Sequence, residues 1–181
     1  MSDSCSKKML KKHIFKIVPM VDVADVQNGQ TGRMSKPVDF NRDWDNPVRP
    51  TIRRIEEAID SSASRYRYTV FMDVHGTFPG GSMSNNFSYF DLRQSSVGKD
   101  DRIKDYWLRF EKLSGFLPYG IRDYYNKYDG MTADWWNEIN YGGVLQFSTT
   151  IETDWCTNSH NNTYSIDDYL EIGRWMIMSL Y

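Results

Sequence analysis

Three short β-branched runs constrain this chain more than any other feature: HIFKIVP at 13–19, YTVFMDVHG at 68–76 and GVLQFSTTIE at 143–152. Runs of this length and composition, closed by Pro19 or Gly76, read as buried strands. Between them lie segments with helical spacing. Residues 6–12 read as the end of a basic helix, and Pro50 opens PTIRRIEEAIDSSA with Ile52, Ile55 and Ile59 on one face. Residues 98–114 place Ile103, Trp107, Phe110 and Leu113 on an inner face. Residues 165–180 form an amphipathic helix that Ser165 can cap, with an Asp pair at its positive end. Strands alternating with helices predict an α/β fold, with a mixed, mostly parallel central sheet and helices on both faces.

The chain has 181 residues, enough for one ordinary domain, and one domain over 1–181 is the expectation. Charged residues make up 25% and the net charge is −2, so no basic field points to nucleic acid. The cluster Lys7, Lys8, Lys11 and Lys12 reads as the solvated face of a helix. No apolar run reaches the length of a membrane span, and none near the N-terminus has the length of a signal core. Two cysteines, Cys5 and Cys156, make no disulfide framework and no CxxC metal pattern. A reducing, cytoplasmic setting is the expectation.

Residues 20–47 hold little periodicity and much Gly, Pro, Asp and Asn, which predicts a long functional loop. In α/β sheets, ligands bind beyond the carboxyl ends of the strands. His75 and Glu152 stand at such ends, and the loop with Asn41 and Arg42 leaves the first run from the same side. His75 can serve as a metal ligand, a base or a hydrogen-bonded structural histidine. Glu152 can act as a general base where burial raises its pKa, or as a solvated carboxylate. Arg42 offers a planar fork that fits a carboxylate or phosphate, or an ion pair with Asp39, Asp43 or Asp45. Asn41 adds a directed donor, and Arg33 a further cation.

In this order, FKIVPMVDVADVQNG, GRMSKPVDFNRDW, FMDVHG and STTIET resemble the zinc carboxypeptidases (the M14 metallocarboxypeptidases). The likeness is greatest to the branch holding the cytosolic enzymes and their bacterial relatives. It runs from about Phe15 to the C-terminal helix, and only loosely over 85–143. It implies a phosphorylase/hydrolase-like carboxypeptidase fold and a zinc cofactor. His75 would be the third zinc ligand and Glu152 the general base. Asn41 and Arg42 would grip the terminal carboxylate of a peptide or protein, and Arg33 would steady the oxyanion. Tyr128 or Tyr141 would be the mobile tyrosine near the substrate.

The family's HxxE zinc pair is absent. The three histidines, His13, His75 and His160, each lack a glutamate three residues on. The resemblance places the missing pair before the run at 13–19, which implies a partial catalytic domain without its N-terminal strands. Three readings follow: a fragment of an exopeptidase, a half-enzyme whose missing ligands come from a complementing N-terminal half, and a pseudoenzyme that binds carboxylates without cleaving; the sheet edge left unpaired by missing strands also predicts a homo-oligomer. An unorthodox zinc site of His75 with His160, Asp73, Asp22 or Cys156 is a fourth. An amino-acid N-deacylase of the same fold is the alternative reaction, and a peptide-binding module using Trp135, Trp136 and Tyr141 the alternative without chemistry.

Overall fold

Val70–Gly76 and Phe147–Thr153 form the parallel ladder around which the sheet is built, Val70 pairing with Phe147 and Gly76 with Thr153. The computed structural model describes residues 3–30, 35–76, 88–93, 100–114, 120–124, 147–153 and 165–180. In chain order the elements are α1 (Asp3–Lys12), α2 (Val23–Gln27), a 3-10 turn (Phe40–Arg42), α3 (Pro50–Ala63), β1 (Val70–Gly76), β2 (Ser88–Arg93), α4 (Asp100–Ser114), β3 (Gly120–Tyr124), β4 (Phe147–Thr153) and α5 (Ile166–Met178). The sheet order is β1-β4-β2-β3. β1 with β4 and β2 with β3 run parallel, and β2 meets β4 antiparallel. This is the expected mixed, mostly parallel α/β sheet. Among the described residues, no helix is long and apolar enough to cross a membrane.

The chain divides into two compact units, Met1–Phe40 and Asn41–Tyr181. In the first, Asp22 caps α2 by accepting the Asp25 N–H at 3.1 Å. The buried Ser35 hydroxyl meets the carboxylates of both Asp22 and Asp25. The run at 13–19 departs from expectation. It joins no ladder, and Ile14, Ile17 and Val18 are exposed. A strand exists only through its partner's hydrogen bonds, and the described residues supply this run with none.

In the second unit, Tyr106 and Phe110 of α4, Ile151 of β4 and Ile172 of α5 form the buried cluster, with Val70 and Met72 packed against it. Residues i and i+4 lie on one helix face, so Tyr106 and Phe110 are presented together. They, rather than Leu113, which is exposed, make the inner face of α4. Two polar links join α4 to α5. The Tyr106 hydroxyl donates to the Met176 carbonyl at 2.9 Å, and Arg109 Nε donates to the Ser179 carbonyl at 2.8 Å. The arginine thus places a cation and a donor at the end of α5, where carbonyls lack intrahelical partners. At the other end Ser165 and Asp168 form the expected capping box. Hydrogen bonds from the Ser165 N–H and then its hydroxyl hold the Asp168 carboxyl below its ordinary range. Burial pushes the Tyr106 hydroxyl above the ordinary tyrosine range, so it stays a donor at any working pH.

Before α3, the Asp43 carboxylate is buried and accepts the N–H groups of Val48 and Arg49, each at 2.9 Å. Arg49 occupies the N-cap without a side-chain cap of its own, so Asp43 does that work from six residues upstream. Ile52 and Ile59 fill the buried face of α3. Glu56 lies on the same helix, and its Oε1 is buried without a hydrogen bond. Desolvation first, then the charges of Asp60, Asp43 and Asp45, push its pKa up to about 7 from the ordinary 4.5, against the pull of Arg53.

Two outcomes are expected. Phe110→Ala should cost about 3–5 kcal/mol through the cavity it leaves, and Tyr106→Phe about 1 kcal/mol through one lost hydrogen bond. Urea midpoints of the two variants should separate accordingly. For Glu56, the folded state holds a proton at pH values where the unfolded chain has released it. Stability should therefore rise as pH falls from about 7 toward 4.5. Glu56→Gln should flatten this slope and be the more stable protein at a pH of about 8. Urea midpoints of both proteins across that range check it, and parallel curves would refute the assignment.

Candidate functional site

The site grows from the period-two alternation of β1. Val70 and Met72 face the core cluster, which assigns Phe71, Asp73 and His75 to the opposite face. Asp73 and His75 are therefore neighbours on one strand face, with side chains 19% and 27% exposed. His75 Nε2 lies 2.8 Å from Asp73 Oδ2. The distance is that of a hydrogen bond but the angles are not, since Oδ2 is buried and accepts none. When the imidazole is protonated, the two side chains make an ion pair.

Asn41 comes to the same histidine from the 3-10 turn. Its Nδ2 lies 3.3 Å from His75 Nε2, so the amide can donate to that ring nitrogen. Arg42 lies beside it and turns its NH1 back onto the Asn41 carbonyl at 2.7 Å. Next in sequence is the buried Asp43, whose two backbone hydrogen bonds tie this turn to the start of α3. A turn with loop-like sequence is thus held by a carboxylate rather than by a ladder.

The ladder brings the fourth expected residue to the same place. His75 is paired in register with Glu152, and adjacent strands lie about 4.8 Å apart. The structure thus gathers His75, Asn41, Arg42 and the backbone of Glu152 at the carboxyl end of the β1–β4 ladder. Arg33, Tyr128 and Tyr141 lie outside the described residues, as do His160, Cys156, Trp135 and Trp136. Asp22 belongs to the first unit, where it caps α2. The resemblance assigned Asp73 no role. The unorthodox zinc set did name it, and its position two residues before His75 on a strand puts both on one face.

The zinc centre implied by the resemblance can be tested against these atoms. His75 Nε2 and the orphaned Asp73 Oδ2 are two suitable ligands side by side. A catalytic zinc takes three protein ligands and keeps one position open. Among the described residues no group of three His, Cys, Asp or Glu side chains could hold a metal. The described residues therefore do not make up that centre.

No family model matches the sequence, and no curated protein does. Structure comparison finds a metallo-carboxypeptidase from Burkholderia cenocepacia at a TM-score of 0.60 and 15% sequence identity. The match covers 79% of this chain and 37% of that one, so the chain spans little more than a third of its structural neighbour. At that identity the likeness is one of fold: the chain carries a metallocarboxypeptidase-like α/β fold.

Proposed function

We propose that this chain is part of an M14-type, zinc-dependent exopeptidase that removes C-terminal residues from peptides or proteins when the missing ligand-bearing half is supplied. The observation that carries the reading is the meeting of Asn41 and His75 at 3.3 Å, with Arg42 beside them, on a metallocarboxypeptidase-like fold. In this reading Asn41 and Arg42 bind the terminal carboxylate. A guanidinium suits that task because its charge is permanent and its planar donors match two carboxylate oxygens. Arg42 would leave the Asn41 carbonyl to do so. His75 would stand at the metal end of the site, and Glu152 would take the proton from the attacking water. Zinc, when bound, would polarise the scissile carbonyl and lower the pKa of its water. Arg33 as oxyanion donor and Tyr128 or Tyr141 against the substrate complete the assignment.

The absence of an HxxE pair from the sequence favours a second reading, a binding module that holds peptide carboxyl ends without cleaving them. One titration addresses both. A peptide with a free C-terminus should bind the purified chain more tightly than its C-terminal amide. Arg42→Ala should remove about 1.5–3 kcal/mol of that binding, roughly tenfold or more. Binding that persists in chelator, with no residue released, assigns the chain to the binding module. Equal affinity for acid and amide would overturn both readings. For the enzymatic reading, C-terminal residues should be released only when zinc and the complementing half are both present, and Glu152→Gln should abolish release while sparing binding.

A further inference from the structure

α5 carries more apolar surface than the core takes from it. Ile172 is buried in the core cluster. At 3.6 residues per turn, Ile166, Leu170, Gly173 and Ile177 share an arc of about 60°, roughly 130° round the helix from Ile172. Ile166 is 80% exposed and Leu170 66%. Gly173 is exposed and Ile177 half-buried. Apolar residues at this spacing make a continuous stripe rather than a scatter. Asp167 and Arg174 line one flank of it, about 80° from its middle.

The glycine in this stripe needs a reason. Glycine inside a helix weakens it relative to alanine, and a Cβ at Gly173 would meet nothing within 4 Å. The fold of one copy therefore leaves room for a side chain there. The stripe is also symmetric about its own middle. Reversed about the point between Glu171 and Ile172, Ile166 falls on Ile177 and Leu170 falls on Gly173. The same reversal brings Asp167 to within about 3 Å of Arg174 along the axis, on the same flank. Arg174 pairs with Glu171 of its own helix at 2.9 Å, and a guanidinium has five donors, enough for a second carboxylate.

We propose that two copies of this chain pair through α5, antiparallel about a twofold axis between Glu171 and Ile172, with Leu170 of each seated on Gly173 of the other. Ile166 of each then packs against the partner's Ile177. The distance between packed helices depends on the side chains at the contact, and a glycine there lets Leu170 enter. On the flank, each Arg174 meets the partner's Asp167, which gives two contacts of opposite charge. The two Asp167 stay roughly 13 Å apart along the axis, so no like charges are set together. Ile172 faces away from the contact in both copies, so each core stays behind its own helix. A patch that is complementary to itself under a twofold is what a second copy of the same chain requires. Two short helices bury less than the roughly 800 Å² per partner of a standard interface, so the dimer is reversible and micromolar or weaker. The pairing does not depend on the peptidase-like reading, because α5 carries none of the residues assigned to that site.

The test is sedimentation equilibrium of the full chain, in chelator, from about 1 to 500 µM, a span set by the weakness of small interfaces. The mass should pass from 21.3 kDa to twice that value as concentration rises. Leu170→Glu and Gly173→Leu should both stay monomeric throughout. Gly173→Leu should also melt no lower than the parent at low concentration, because its side chain has room in one copy and helix propensity rises. Asp167→Lys and Arg174→Glu should each weaken association roughly tenfold, by setting like charges together twice. Mixed in equal amounts they should associate as tightly as the parent, since each then offers the charge that the other has lost. Circular dichroism confirms that every variant folds. A monomer at every concentration, a dimer that survives Leu170→Glu or Gly173→Leu, or a mixture no tighter than its two components would each overturn the proposal.

Discussion

The β1–β4 ladder is the constraint on which the second unit depends. A strand cannot turn one residue without turning all of them. Once Val70 and Met72 are drawn against Tyr106, Phe110, Ile151 and Ile172, the opposite face is given to Asp73 and His75. A slip of one residue would bury the histidine and expose the methionine. The polar face is therefore held in register by apolar packing on the other side of the sheet. The links from Tyr106 and Arg109 to the end of α5 make that packing one body.

The turn that brings Asn41 to His75 is held differently. Its anchor is a buried carboxylate, Asp43, satisfied by two backbone N–H groups. Glu56 lies close enough to feel that charge together with those of Asp45 and Asp60. Such crowding of negative charge favours a cationic side chain nearby, and Arg42 supplies one at the next position. The electrostatics of the turn therefore work toward keeping the arginine in place while its neighbour contacts the histidine.

What was legible in the sequence follows from which signals are local. α3 announced itself through Pro50 and its isoleucine spacing, α5 through Ser165 and its Asp pair, and β1 and β4 through apolar runs. β2 and β3 did not. SYFDLR and GIRDY are short and carry charges, so neither period nor composition sets them apart from loop. The run at 13–19 had the composition of a strand, but composition cannot supply a neighbour. In the site, His75 and the Asn41–Arg42 turn were legible as motifs. The pairing of His75 with Glu152 was not, because two apolar runs far apart in sequence can align in several registers. Only the packed structure selects one.

The strand order has a temporal consequence. β4 lies between β1 and β2 although it follows both in the chain. Until residues 147–153 have been made, β1 has no described neighbour on the side where β4 will lie, and the surface that seats Val70 and Met72 lacks Ile151. α5, which closes the cluster with Ile172, comes later still. During synthesis the histidine strand therefore waits for residues 147–153 before its described ladder can form. Distant pairings of this kind make folding slow, so a nascent chain halted before β4 would display an apolar strand to anything that could pair with it.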